Sequence, residues 1–320
     1  MTKEICEENH LVANQAWIDK MLQLYATQKV RHGIIVMGPS GSSKTTLIET
    51  LAKAMTKVTP ASRNHQNTKV WHLNPKSLYS HELFGTLDSA TGDWTDGTFT
   101  TLWRRTMRMK NDEYVWINHD GPVDTIWIES LNSVLDDSKI LTLANGDRLP
   151  MSPNVKLMFE AADIDNASPA TVSRNGVIYV SSNIVKWNHL LSSWLSENSS
   201  NYQNNEMAKH YDQNEITKLF QENFDDILNF GEQNLAYKMP VLTHMIIMQC
   251  LTIFKSAIDE NKSTNQENNF IYAVLWSIGA LCEQDDRQKL VNFLAKEKKL
   301  NCQENAYDFY PGDKGEWKQW

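Results

Sequence analysis

The sequence predicts an α/β unit, a parallel sheet flanked by helices, followed by a smaller all-helical unit. Three observations carry that expectation. Short apolar runs of strand length alternate with helical patterns through the first half of the chain. The first of these runs breaks into a loop of small residues and then directly into a helical pattern. Beyond about residue 183 the strand-like runs stop, and apolar residues recur at helical spacing between loops rich in Asn, Ser and Gln. The expected boundaries are residues 1–183 for the α/β unit and 184–304 for the helical unit. Residues 305–320, polar and aromatic with Pro311-Gly312, are expected as an exit linker.

Residues 5–28 read as an opening helix, with Leu11, Ala16, Trp17, Met21, Leu22 and Tyr25 at helical spacing. Ile34 to Met37 is the first strand. It runs into Gly38-Pro39-Ser40-Gly41-Ser42-Ser43-Lys44-Thr45-Thr46, and Leu47, Ile48, Leu51, Ala54 and Met55 then mark a helix. A strand, a tight turn whose N–H groups point inward, a lysine for β/γ-phosphates and a hydroxyl for Mg²⁺ are the parts of a phosphate-binding loop. The helix adds its positive dipole end. The pattern G-x-x-x-x-G-K-[ST] wants glycine where Ser43 stands, and a Cβ there is costly if φ is positive. The bland alternative is a Ser/Gly-rich turn between strand and helix.

The chain continues with a polar loop over 60–68, a strand at Lys69–Leu73 stopped by Asn74-Pro75, a short helix at Ser80–Phe84, a turn-rich hairpin region over 85–97 and a helix from Phe99 to Met109. Tyr114–Asp120 is an apolar strand ending in Asp. That carboxylate is placed to share a Mg²⁺ shell with the loop hydroxyl, so Thr45 and Asp120 are the expected metal ligands. In a hydrolytic site a Glu usually follows as the base that polarises water. Here Gly121 follows, so the site is expected to bind nucleotide without its hydrolytic base. Asp124 and Glu129 are the replacement candidates, and solvated helix residues are their simpler reading.

Ile126 to Leu135 reads as a helix, 141–150 with Asn145-Gly146 as a hairpin, Val155–Asp163 as a strand and Val177–Val180 as the last strand. Glu160 and Asp163 lie at the end of their strand, where a polar residue can sense a γ-phosphate. Arg174 precedes the last strand; it is either a surface ion pair or an arginine that stabilises phosphoryl charge from a neighbouring subunit. Ligands sit outside the carboxyl ends of such strands, so the loop, Asp120 and the Glu160–Asp163 segment are expected to converge. Five helices are expected after residue 183, and the face Met245, Ile246, Ile247, Met248, Leu251 and Phe254 of one of them reads as core.

A net charge of −8 gives no basic footprint for nucleic acid. Cys6, Cys250, Cys282 and Cys302 are far apart and read as reduced intracellular thiols. Residues 1–20 are mixed polar and predict no signal peptide, and no apolar run reaches the roughly 18 residues of a membrane span.

Several stretches carry a family resemblance. They are Arg31-His32-Gly33 leading into the loop, Leu73-Asn74-Pro75-Lys76-Ser77, Leu83-Phe84-Gly85 with Trp94-Thr95-Asp96-Gly97, Asp120-Gly121-Pro122-Val123-Asp124 running on to Asp137, and Ala167-Ser168-Pro169-Ala170-Thr171-Val172-Ser173-Arg174. Trp276-Ser277-Ile278-Gly279, Asp308-Phe309-Tyr310 and Gly315-Glu316-Trp317 add to them. The chain resembles the second AAA+ module of the dynein heavy chain motor ring, with an axonemal dynein as the nearer likeness, over nearly its whole length. The resemblance implies a P-loop NTPase sheet with a helical lid, ATP and Mg²⁺ as cofactors, and a site that binds nucleotide with little hydrolysis. It implies that Arg174 reaches in trans to the nucleotide of the preceding module. It implies neighbouring AAA+ modules of the same heavy chain as partners, with intermediate and light chains and microtubules engaged through the full-length motor. The implied location is the cytoskeleton, in a ciliary axoneme. A working ATPase with a non-standard base and a scaffold that binds no nucleotide stand as the alternatives.

Overall fold

Isoleucine and valine at Ile34, Ile35 and Val36 are fully buried, which places the first strand inside a sheet covered on both faces. The computed structural model describes residues 2–58, 66–109, 113–202, 212–259, 263–302 and 305–320. The chain divides into two units, Met1–Asn9 with Ala13–Val185 and His10–Val12 with Lys186–Trp320.

In chain order the first unit contains α1 (Thr2–Glu8), α2 (Gln15–Val30), β1 (Gly33–Met37), α3 (Lys44–Lys57), β2 (Asn67–Leu73), α4 (Ser80–Phe84), β3 (Gly85–Leu87), β4 (Trp94–Asp96), α5 (Thr98–Thr106), β5 (Glu113–Asp120), α6 (Thr125–Ile128), α7 (Asn132–Leu135), β6 (Ile140–Thr142), β7 (Arg148–Pro150), β8 (Val155–Ala161), α8 (Pro169–Arg174) and β9 (Gly176–Tyr179). Five strands form one parallel sheet in the order β2-β5-β8-β1-β9, as the strand–helix alternation predicts. The chain leaves β1 for the far edge at β2 and returns later to fill the places between. The loop after β1 therefore lies beside the carboxyl end of β8, where Met37 pairs with Ala161. One strand further on, Asp120 pairs with Glu160. This is the crevice geometry of an open parallel sheet. A core of Ile35, Phe99, Trp103, Ile117, Leu131, Leu157 and Phe159 lies against the sheet.

Several expectations change in detail. The single helix over 5–28 is two helices. The Asn9 amide donates to the Ile5 carbonyl at 2.6 Å, His10 turns left-handed at φ 54, and Asn14 caps α2 by accepting from the Ala16 N–H at 3.1 Å. Short polar side chains that bond nearby backbone end one helix and start the next. The helix over 126–135 is α6, a 3₁₀ turn at Glu129–Leu131, and α7. The strand over 155–163 ends at Ala161, and the Asp163 carboxylate accepts from the Asp165 N–H in the turn beyond. Most of the loop expected over 60–68 lies outside the described residues; β2 begins within it, at Asn67.

The second unit contains α9 (Trp187–Tyr202), α10 (Gln213–Asn234), α11 (Thr243–Asp259), α12 (Gln266–Ser277), α13 (Gln284–Asn292), β10 (Phe309–Pro311) and β11 (Trp317–Gln319). Phe220, Phe224, Phe254 and Phe270 are fully buried at its centre, and Phe220 meets Phe270 edge-on with centroids 4.8 Å apart. On α11, Ile246, Ile247, Leu251 and Phe254 face this core, whereas Met245 and Met248 are exposed. The apolar stripe read from the sequence is thus wider than the buried one. Residues 305–320 do not run out as a linker. β10 and β11 pair as an antiparallel hairpin, Ala306 is buried, and Tyr307 and Trp317 pack on the helical core. The Asn268 amide donates to the Gly315 carbonyl at 2.8 Å and fastens the hairpin to α12.

Candidate functional site

The loop Gly38–Ser43 follows β1 and hands the chain to α3. Gly38 passes so close to β9's exit that a Cβ would stand 2.1 Å from the Val180 carbonyl oxygen, so only glycine fits. Gly41 and Ser43 both take the left-handed region, at φ 73 and φ 64. The expectation that position 43 needs glycine's conformation is therefore met by a serine, at a backbone cost of roughly 1–2 kcal/mol. The serine hydroxyl turns back and donates to the Ser42 carbonyl at 2.6 Å. It makes no cap bond to the helix. The first hydrogen bond within the helix runs from the Leu47 N–H to the Ser43 carbonyl at 2.9 Å. The amides of Lys44, Thr45 and Thr46 are thus the orphan donors of a 14-residue helix, left open by a cap residue that bonds elsewhere. Such an end receives anionic oxygen. The Ser42 hydroxyl is buried beneath the loop without a partner.

Lys44 is buried, and its ammonium donates to the Gly38 and Pro39 carbonyls at 2.9 and 3.0 Å. Desolvation holds its pKa below the usual lysine value, while the Glu160 and Asp120 carboxylates oppose that shift. Both carboxylates therefore lie within electrostatic reach of the loop lysine, as expected from the strand ends. Thr45 Oγ1 donates to Glu160 Oε1, and Asn118 Nδ2 donates to Glu160 Oε2 at 3.1 Å. Glu160 is 6% exposed and Asn118 fully buried. Asp120 is exposed at the end of β5. Among the described residues no three His, Cys, Asp or Glu side chains gather to hold a metal alone. A hydroxyl and a carboxylate suit Mg²⁺ only if phosphate oxygens and water complete its shell, which is how this ion is usually held. The donor set fits a magnesium–nucleotide and not a free-standing metal centre.

Position 121 carries no side chain, and the adjoining space is partly taken. A Cβ on Gly121 would lie 2.9 Å from Asn74 Oδ1, which accepts from the Lys76 N–H at 2.9 Å. Asp124 is committed locally. One oxygen caps α6 by accepting from the Ile126 N–H at 3.0 Å, and the other meets the Lys76 ammonium at 2.5 Å. Glu129 is exposed on the 3₁₀ turn. Arg174, on the last turn of α8, donates through Nε to Asp136 and through Nη1 to the Ala170 carbonyl at 2.9 Å, and stays 31% exposed. It lies just before the edge strand β9, whose Val177 and Tyr179 are exposed. Asn118, which braces Glu160, was not singled out from the sequence. Its position two residues before Asp120, on the same face of the strand, is the signal that finds it.

The family described as the AAA domain of the dynein-related subfamily matches residues 33–175, and the dynein heavy chain AAA lid domain matches residues 216–320. The chain belongs to the AAA modules of dynein heavy chains. A third family, described as the hydrolytic ATP binding site of the dynein motor region, matches residues 1–45, a match that stops before β5 and its Asp120. Mouse dynein axonemal heavy chain 5 is 41% identical over 328 residues, taking in 98% of this chain and 7% of the relative's length. Human dynein axonemal heavy chain 8 is 42% identical over 324 residues, 97% of this chain and 7% of its own. The dynein gamma chain of the flagellar outer arm of Chlamydomonas reinhardtii is 40% identical over 296 residues, 89% of this chain and 6% of its own. This dynein module thus spans less than a tenth of the length of each of these relatives. Its family implies nucleotide binding. No helix among the described residues is long and apolar enough to cross a membrane.

Proposed function

We propose that this chain is the second AAA+ module of an axonemal dynein heavy chain and that it holds Mg-ATP with little or no turnover. The observation that carries this reading is the missing carboxylate after Asp120. Gly121 stands where the base is needed, Asn74 crowds the space beside it, and Asp124 is spent on a cap and an ion pair. Gly38, Pro39, Ser40, Gly41, Ser42 and Ser43 cradle the phosphates, Lys44 neutralises the β/γ oxygens, and Thr45 and Asp120 hold Mg²⁺. The nucleotide then serves as structural ligand rather than fuel. Arg174 works in trans on the nucleotide of the preceding module. The partners are the adjoining modules of the same heavy chain and, through the whole motor, its accessory chains and microtubules, in a ciliary or flagellar axoneme.

Two measurements on the purified chain test the nucleotide reading. Nucleotide is extracted and identified, and thermal stability is followed as Mg-ATP is added. A ligand that binds only the folded state at about 100 times its Kd adds roughly 2.7 kcal/mol. The expected result is stabilisation by Mg-ATP that Lys44→Ala abolishes, with recovered ATP uncleaved. Turnover that Lys44→Ala removes would make the module an ATPase with a different base. Absence of stabilisation would make it a scaffold whose Ser43 loop takes no nucleotide.

A further inference from the structure

Glu160 occupies a position from which a γ-phosphate contact is expected, yet its bonds point elsewhere. A carboxylate is acceptor-only when ionised, and both of its oxygens are engaged, one by the Thr45 hydroxyl and one by the Asn118 amide at 3.1 Å. Its backbone is fixed as well, since the Gly121 N–H donates to the Glu160 carbonyl at 3.1 Å. A hydroxyl has one proton and two lone pairs. Because the proton of Thr45 goes to Glu160, only lone pairs remain to face the loop. The oxygen is thereby fixed as an acceptor, the form in which it ligates a cation, and it has no proton to offer a phosphate. The same carboxylate, with Asp120 paired beside it in the neighbouring strand, sets two negative charges near the place where phosphates arrive. Lys44 is a cation within electrostatic reach of both carboxylates. A base would need a carboxylate lone pair aimed at an attacking water, whereas both oxygens of this buried side chain already accept hydrogen bonds from Thr45 and Asn118.

We infer that Glu160 acts on the metal side of the site. It orients the Thr45 hydroxyl as a Mg²⁺ ligand, and its charge makes the divalent cation a condition of nucleotide binding. The inference rests on the nucleotide reading above and adds to it a positioning residue with a sign: the site rejects metal-free ATP. Outer partners that fix a ligand's proton tune metal affinity by roughly 10–100-fold.

The test is ATP affinity of the full chain, by calorimetry, in Mg²⁺ and in EDTA, for wild type, Glu160→Gln and Glu160→Asp. Glutamine matches glutamate in size, and a flip of Asn118 turns Oδ1 to accept the new amide in the place where Nδ2 now donates. Wild type is expected to bind in Mg²⁺ and fail in EDTA. Glu160→Gln is expected to shrink the ratio of the two dissociation constants by about tenfold or more, chiefly by strengthening metal-free binding, since one like charge near the phosphates is gone. Glu160→Asp keeps the charge and loses the reach to Thr45, so metal-free binding stays weak while ATP affinity in Mg²⁺ falls. Wild type that binds ATP equally in EDTA, or an unchanged ratio in Glu160→Gln, overturns the inference and leaves the nucleotide reading standing. Failure of wild type to bind ATP in either condition overturns both.

Discussion

Ser43 holds φ 64 and ψ 33 in a conformation that costs an L-residue with a Cβ roughly 1–2 kcal/mol. Glycine would avoid that cost but lose about 0.5–1 kcal/mol to its freer unfolded chain. Ser43→Gly is therefore expected to stabilise the first unit by up to ~1 kcal/mol, seen as a higher denaturant midpoint, and to leave Mg-ATP affinity equal or tighter. A lower midpoint would show that the bond from its hydroxyl to Ser42 outweighs the strain. His119 gives a second residue-scale expectation. It is stacked against Phe159 at 5.0 Å and Trp127 at 5.4 Å, fully buried, and desolvation pushes its pKa down to about 4. The unfolded chain titrates near the ordinary 6.5 and so binds more protons between those values. Stability is kept above the unfolded value and lost as pH falls through that window. From pH 7 to about pH 4.5 the loss due to this ring is about 2–3 kcal/mol. Urea unfolding in EDTA without nucleotide should show it in wild type and not in His119→Phe; equal slopes would count against it. Gly38, Lys44 and Thr45 were legible because a loop's chemistry is local in sequence. The bracing of Glu160 by Asn118 was not, because it depends on which strand lies beside which.

Elements read from periodicity held best where burial is two-sided. β1, β5 and β8 are near-continuous apolar runs, and each forms a strand that pairs in the parallel sheet. Continuity of helices was harder to read. The pattern from Leu11 to Tyr25 keeps its spacing across a break that Asn9, His10 and Asn14 enforce through side-chain bonds and a left-handed turn. Polarity also misled at the tail, where Tyr307 and Trp317 supply the packing that their polar neighbours conceal. The tail in turn crowds Gly279. A Cβ there would stand 1.7 Å from the Tyr307 hydroxyl, the Arg287 Nε donates to the Gly279 carbonyl at 3.0 Å, and its guanidinium lies over the Tyr307 ring at 5.3 Å. Gly279→Ala is expected to cost the second unit about 1–3 kcal/mol as overpacking. Tyr307→Phe removes the nearest atom and should restore part of that loss in the double variant, while a fully additive double variant would place the strain elsewhere.

At the scale of the whole molecule the question, on the proposed reading, is what a module that holds nucleotide without spending it contributes to a longer chain. Relatives about fourteen times its length provide the context, since this chain covers 7% of the mouse heavy chain it matches. A nucleotide that is held and not spent stabilises one folded state, so its contribution to turnover must come through a surface offered to a neighbour. In the proposed reading the side chain offered there is Arg174. It closes α8 at the threshold of the edge strand β9, beside exposed Val177 and Tyr179, and it rests on Asp136 with about a third of its side chain still open. The ion pair with Asp136 is partly solvated, so it is worth well under the gain from a phosphoryl group in transition, and releasing it is a small cost. Arg174→Ala in a full-length heavy chain should therefore slow ATP hydrolysis at the preceding module and leave this module's own ATP affinity nearly unchanged. Where a trans arginine is the main charge stabiliser the loss is of order 10³-fold or more, and it is smaller where other donors share the load. Arg174→Lys should recover little, because an ammonium lacks the planar fork that spans two phosphoryl oxygens. Full hydrolysis in Arg174→Ala, or a loss of affinity confined to this module, would assign Arg174 to its own fold through Asp136 and not to its neighbour.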